Sequence, residues 1–184
     1  IDVSGLKKKR YDSRDHHFHE PGRRGSHCVD CHAPRPAYMG IDFRADHSFR
    51  IPRPDLNETL GVPNACNGCH AEQSPRWAAN RIRDRVPDYD PAQHYAGAIY
   101  AGRYGKSGAV RGLAAVTANA QLPAIARASA LGELLRYPGA ATLGAMTSGL
   151  TDPDPLVRRV AVSGFEGVPA SEGDRLLGPL LDDP

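Results

Sequence analysis

All four cysteines of this 184-residue chain stand in two copies of one pattern, Cys28-Val29-Asp30-Cys31-His32 and Cys66-Asn67-Gly68-Cys69-His70. Cysteines at i and i+3 share one face of a helical turn, and a histidine at i+4 continues that face. The pattern is the attachment signature of c-type haem, in which two thiols add across the porphyrin vinyl groups and the next histidine ligates iron. The competing reading is structural zinc, which also uses paired Cys-x-x-Cys. A four-thiolate zinc site has no need of a histidine directly after each pair. The expectation is therefore two covalent c-type haems, bound through Cys28, Cys31, Cys66 and Cys69, with His32 and His70 as proximal iron ligands. No cysteine remains for a disulfide or a reactive thiol.

A six-coordinate electron carrier needs a further ligand on each iron. Methionine is scarce, with Met39 near the first motif and Met146 far down the chain. Histidine is the better source. Of eight histidines, seven precede residue 71, in company with all the cysteines. His47 stands alone between the motifs and is expected as a distal ligand. His16, His17 and His19 cluster ahead of the first motif, and His19 or His16 is expected to serve another iron. The alternative for that cluster is a solvated His-rich tract able to bind stray metal. His27 abuts Cys28 and is awkward as a ligand for its own haem, and His94 is expected on a helix surface.

Around these motifs the chain has two unlike parts. Residues 1–73 are rich in His, Pro, Gly and Arg, with short apolar runs that could hardly form a core alone. From Ser74 the pattern becomes helical. Ser74-Pro75 reads as an N-cap followed by proline at the first helical position. Ala78, Ile82 and Val86 recur at four-residue spacing, and Pro87 closes the helix. A second helix is expected from near Pro91 to about Tyr104. Five more are expected over roughly 107–119, 122–136, 139–149, 154–165 and 171–181. The Asp152-Pro153 turn and the Val157-Arg158-x-x-Ala161 that follows it open a unit whose start recurs 31 residues on, at Asp183-Pro184. Arg127 and Ala130 fall 31 residues before Arg158 and Ala161. Helix pairs at this period predict an α-solenoid, with an ordinary helical bundle as the alternative. The fold expected is mainly α: a loop-rich multihaem cytochrome c module over residues 1–86, then a HEAT-like solenoid over 87–184.

The formal net charge is +2 and the pI about 8.4, too weak a bias to argue for nucleic acid. Mean hydropathy is −0.47, and no apolar run approaches the ~20 residues of a membrane span. The chain opens in Ile1-Asp2-Val3 without a methionine and stops where a repeat begins. It is expected to be a piece of a longer protein whose true N-terminus is missing, which leaves room for a lost signal peptide.

Several short motifs, kept in order, resemble a known family. They are His16-His17-Phe18-His19-Glu20-Pro21-Gly22, the first haem motif, Tyr38-Met39, Asp46-His47-Ser48-Phe49-Arg50-Ile51-Pro52-Arg53-Pro54-Asp55, Pro63-Asn64-Ala65 with the second motif, and Trp77-Ala78-Ala79. Over about residues 11–80 the chain looks like the C-terminal haem module of periplasmic multihaem c-type cytochromes, similar to the tetrahaem cytochromes of the hydroxylamine-oxidising pathway. The resemblance implies bis-histidine haems, electron transfer and further haem motifs upstream. It matches His16 and His19, with His17 less regular, and one of them would reach a haem on another segment or chain. Ala33 departs from the pattern, where such proteins often have Met, but that Met is not needed as a ligand. The expected protein is a periplasmic or extracellular electron carrier that meets redox partners or other haem-carrying subunits, possesses no membrane span in this chain and does not bind nucleic acid. The alternatives are a piece of a multihaem oxidoreductase with one open iron, and a docking module of a larger redox assembly.

Overall fold

The computed structural model describes residues 11–86, 89, 94–166, 170–178 and 181, with the backbone alone for 170–172. The molecule is mainly helical, and its contacts divide it into two compact units, residues 1–91 and 92–184. Among the described residues no helix is long and apolar enough to cross a membrane.

The first unit contains α1 (Arg14–His17), α2 (Cys28–His32), a two-stranded antiparallel hairpin of β1 (Ala37–Tyr38) and β2 (Asp42–Phe43), α3 (Pro54–Leu60), a 3-10 turn (Cys66–Gly68) and α4 (Pro75–Arg85). In the hairpin Ala37 faces Phe43 and Tyr38 faces Asp42. Further backbone bonds from Arg44 to Pro36 (3.2 Å) and from Asp46 to Pro34 (3.0 Å) continue the pairing past the strands. Helix α4 starts as expected: the Ser74 hydroxyl accepts from the Trp77 N–H and Pro75 takes the first helical position. Helix α3 was not anticipated. Its signals are Pro54 at the start and Gly61 at the end, in the left-handed region at φ 70° that glycine enters freely.

The buried apolar side chains described in this unit are small: Ala33, Pro54, Ala78 and Ala79. A polar cluster supplements them. Arg53 donates twice to Asp55 (2.9 and 2.7 Å), the Tyr89 hydroxyl donates to the same carboxylate, and the Arg53 guanidinium lies over the Tyr89 ring. Burial pushes the Asp55 carboxyl up, but its bonds from Arg53 and Tyr89 outweigh that and hold it below its ordinary range. Burial and the Asp55 bond push the Tyr89 phenol up to about 12.

The second unit contains α5 (Ala96–Arg103), α6 (Ala109–Ala118), α7 (Ala124–Leu134), α8 (Ala140–Gly149), α9 (Pro155–Ser163) and α10 (Ala170–Leu177). These lie where the periodicity puts them, apart from α5. It begins only at Ala96, and Pro91 is outside the described residues, as are the Asp-Asp-Pro residues of the expected next repeat. Helix α6 packs on α5, α7 and α8, and α9 packs on α7 and α8. Leu113, Val116, Ala130 and Leu134 form one core cluster, and Leu131, Met146, Leu150, Val157, Ala161 and Phe165 belong to another. The Asp154 side chain caps α9 by accepting from the Leu156 N–H (2.9 Å). Buried Arg127 of α7 reaches Asp152 in the turn before α9 (2.8 Å).

Candidate functional site

The motif residues Cys28–His32 form the whole of α2, with the Asp30 carboxylate accepting from the Gly25 N–H (2.8 Å) to tie the preceding loop to it. Gly25 is itself constrained: it adopts φ 88°, and a Cβ there would meet the His19 ring at 2.7 Å. The second motif is a tighter turn stitched by a residue that sequence reasoning passed over. Asn67 pairs with Asn64 through both side chain and backbone, and its amide donates to the carbonyls of His70 (3.0 Å) and Gln73 (2.7 Å). An asparagine inside the motif, three residues after another, is the signal that could have revealed it.

The histidines ahead of the motifs converge on the motif histidines. The His16 and His32 ring centroids are 6.0 Å apart with planes 4° from parallel. The His19 and His70 centroids are 6.1 Å apart with planes at 28°. Two imidazoles trans across one metal ion, each bonded at about 2 Å with its centroid roughly 1 Å behind the nitrogen, have centroids about 6 Å apart. Both pairs have that spacing. Phe18 explains how neighbouring histidines serve different partners. It ends α1 in the left-handed region at φ 62° and turns the chain between His16 and His19.

Two of these rings are held in one tautomer. His32 Nδ1 lies 2.7 Å from the Arg50 carbonyl oxygen, and His19 Nδ1 is bonded to the His17 carbonyl. A carbonyl only accepts, so Nδ1 is the donor in both rings and Nε2 is the nitrogen left to ligate a metal. His32 also faces Phe49 at 5.0 Å, and His70 faces Trp77 at 4.9 Å.

The His19–His70 pair borders a cleft of about 520 Å³ that also contains Cys66, Cys69 and Trp77. Ala78 and Ile82 add apolar wall, and Arg24, Arg81 and Arg85 stand on its border. Arg24 donates to the Cys69 sulfur (3.2 Å). The thiols of both motifs are close enough to influence one another. Burial, then the proximity of Cys66, Asp30, Cys69 and Cys28, pushes the Cys31 thiol up to about 11. Burial likewise raises Cys66.

The remaining histidines are distributed as follows. His17 is buried, and its Nε2 has no hydrogen-bond partner among the described residues. Neither motif histidine is ring-paired with His47 among the described residues. His47 follows the hairpin, in a turn held by Asp46, which accepts from the Ser48 N–H (3.0 Å) and from Arg50 (2.7 Å). The bonds from Ser48 keep the Asp46 carboxyl below its ordinary range. His27 precedes α2 as its N-cap residue. His94 Nδ1 accepts from the Ala96 N–H (3.1 Å) at the start of α5. Met39 lies at the hairpin tip, 79% exposed, at φ 53°.

No protein-family model, no curated protein and no solved structure matches this chain.

Proposed function

We propose that the first unit is a dihaem module of a multihaem c-type cytochrome that relays single electrons. Cys28 and Cys31 would carry one haem between His32 and His16, and Cys66 and Cys69 the other between His70 and His19. The observation that carries this reading is the spacing of the two imidazole pairs, 6.0 and 6.1 Å between centroids, each pair including the histidine of a Cys-x-x-Cys-His motif. Structural zinc accounts for the thiols but leaves this pairing without a purpose. When bound, haem supplies reversible one-electron chemistry at iron.

The chain's own residues do the remaining work. The Arg50 and His17 carbonyls hold the protons of His32 and His19 on Nδ1 and fix both rings in orientation. Trp77, Ala78 and Ile82 wall water away from the second pair. Arg24, Arg81 and Arg85 offer guanidinium groups to carboxylates at the cleft border. With both histidines of a pair as ligands, the iron would have no position free for a substrate and a potential below that of His/Met ligation. That favours transfer over substrate chemistry at an open iron.

The helix packing of the second unit, with the Asp152-Pro153 turn and the Arg127–Asp152 pair, supports the HEAT-like solenoid reading. Thioether attachment takes place outside the bacterial inner membrane. The proposed location is therefore periplasmic or extracellular, and the proposed partners are redox proteins or other haem-carrying subunits.

Intact mass should exceed the polypeptide mass by two haems. His16→Ala should open the first iron and His19→Ala the second, each giving a high-spin ferric signal and carbon monoxide binding on half of the haem. A mass equal to polypeptide plus zinc overturns the reading. A fully low-spin spectrum in both variants overturns the ligand assignment.

A further inference from the structure

The two motif histidines are held by different devices. His32 is fixed at its ring, whose Nδ1 donates to the Arg50 carbonyl (2.7 Å), and at its own carbonyl, which accepts from the Arg50 N–H (2.9 Å). Among the described residues the ring nitrogens of His70 have no hydrogen-bond partner. His70 is placed through its backbone instead, and Asn67 holds that backbone. The side chain of Asn67 is fully engaged. Its amide nitrogen has two hydrogens and donates both, to the His70 carbonyl (3.0 Å) and the Gln73 carbonyl (2.7 Å). Its amide oxygen accepts from the Asn64 amide (2.8 Å), whose own oxygen accepts from the Asn67 N–H (3.0 Å). Two carbonyls at one end of the amide admit only one orientation, nitrogen toward them.

The Gln73 N–H also donates to the His70 carbonyl (3.1 Å), so residues 70–73 form a closed turn bridged by Asn67. Gln73 directly precedes Ser74, which caps α4 by accepting from the Trp77 N–H (3.1 Å). Trp77 then returns to the starting residue, its ring 4.9 Å from the His70 ring. A circuit of contacts thus runs from the His70 backbone through Asn67, Gln73 and the first turn of α4 to the His70 ring. It orients the ring and leaves both of its nitrogens free. We infer, on the dihaem reading, that Asn67 is a positioning residue: its two donations set the angle at which His70 faces His19, and with it the ligand field of the second iron. The first motif has no counterpart. Val29 and Asp30 stand between its cysteines, and a carboxylate has no proton to donate to the His32 carbonyl. Loss of Asn67 is therefore felt at one iron only.

The test uses the full chain carrying its covalent haems, counted first by intact mass. Low-spin ferric paramagnetic resonance is the main readout, because that signal depends on the angle between the two imidazole planes, 28° for His19 and His70. The signal that His19→Ala removes belongs to the second iron. Asn67→Asp keeps the shape and the accepting oxygen but cannot donate, and Asn67→Ala removes the side chain. Both should keep two haems, since Cys66 and Cys69 are untouched. Both should shift the second iron's signal, leave the first iron's in place, and let carbon monoxide bind no more than half of the reduced haem. Amide exchange at Cys69 and His70 should quicken about tenfold, the effect of losing a neutral hydrogen bond. Asn67→Gln, with the same amide on a longer arm, should lie nearer to wild type than Asn67→Asp. Asp55→Asn, which loosens the unit through a different cluster, should shift neither signal. If an Asn67 variant loses the second haem, the haem count replaces the spectrum: recovery in Asn67→Gln supports the inference, and equal loss in Asn67→Gln and Asn67→Asp overturns it. A wild-type count below two sinks the dihaem reading itself. A count of two with the second signal unmoved in Asn67→Asp and Asn67→Ala, or with both irons or the Asp55→Asn protein disturbed alike, overturns this inference alone.

Discussion

The two units place their apolar residues in opposite ways. In the second, Leu113, Leu131, Leu134 and Val157 are completely buried and Phe165 nearly so. In the first, the large apolar side chains Tyr38, Met39, Ile41, Phe43, Phe49 and Ile51 are all more than half exposed, and the buried ones are alanines and a proline. Burial is worth about 25 cal/mol per Å² of apolar surface removed from water, so the second unit has a side-chain core to stabilise it and the first has very little. A unit that exposes most of its large apolar side chains and leaves its paired imidazoles half-buried depends on something other than side-chain packing. Two embedded porphyrins would supply the missing apolar body.

The strongest way to break that contrast is to prevent haem attachment. With all four cysteines changed to alanine, α2, α3 and α4 should lose hydrogen-exchange protection entirely, while α6 through α9 keep theirs. Protection retained in both units would show the first to be self-sufficient.

The next effect belongs to the second unit. Asp152→Ala removes the partner of Arg127, whose side chain is only 6% exposed. An uncompensated buried guanidinium costs about 3–5 kcal/mol. Thermal melting of residues 94–184 should register that loss, and the visible spectrum of the full chain should not change.

The Arg53–Asp55–Tyr89 cluster sharpens the comparison through pH, because it lies wholly in the first unit. The Asp55 carboxyl is held below its ordinary value of 3.8 in the folded chain. Its contribution is therefore present above that value and lost as pH falls through the lowered one. The Tyr89 phenol is raised from 10.0 to about 12, so its contribution is present below pH 10 and lost as pH rises toward 12. Asp55→Asn should cost about 1–2 kcal/mol at neutral pH and flatten the acid limb of the first unit's melting profile. Tyr89→Phe should flatten the alkaline limb. Profiles parallel to wild type would detach the cluster from stability.

The smallest effect is at the helix caps. Ser74→Ala should cost about 1 kcal/mol in the first unit, and Asp154→Ala a similar amount in the second, each measured by denaturant midpoint. A larger loss at Ser74 would mean that α4 also positions Trp77 against His70.

Much of this arrangement was legible from the residues. Proline at a helix start, serine before it and apolar recurrence every three or four positions are local effects, and α4 and α6 through α9 follow them. Helix α3 has equally local signals in Pro54 and Gly61, but in a segment dense with proline and arginine they do not stand out. Which imidazole meets which motif is not a local property. His47 is isolated and central in the sequence, which favoured it as a partner for the motif histidines. In the structure the imidazoles beside the motif histidines are those of His16 and His19, which flank a left-handed residue at Phe18. Nothing in the pattern of residues reports a positive φ at phenylalanine.

That turn at Phe18 also bears on the order of assembly. The His16–His32 pairing closes a loop of 16 residues, and the His19–His70 pairing closes one of 51. Closure entropy grows only slowly with loop length, so the second contact is little harder to hold than the first. It is nevertheless later in time. As an exported chain emerges, the first pair can meet once residue 32 is across, whereas the second must await residue 70. The end of α1 and the turn after it thus hold one ring for a near partner and one for a far partner, so the near contact can form before the rest of the unit is in place.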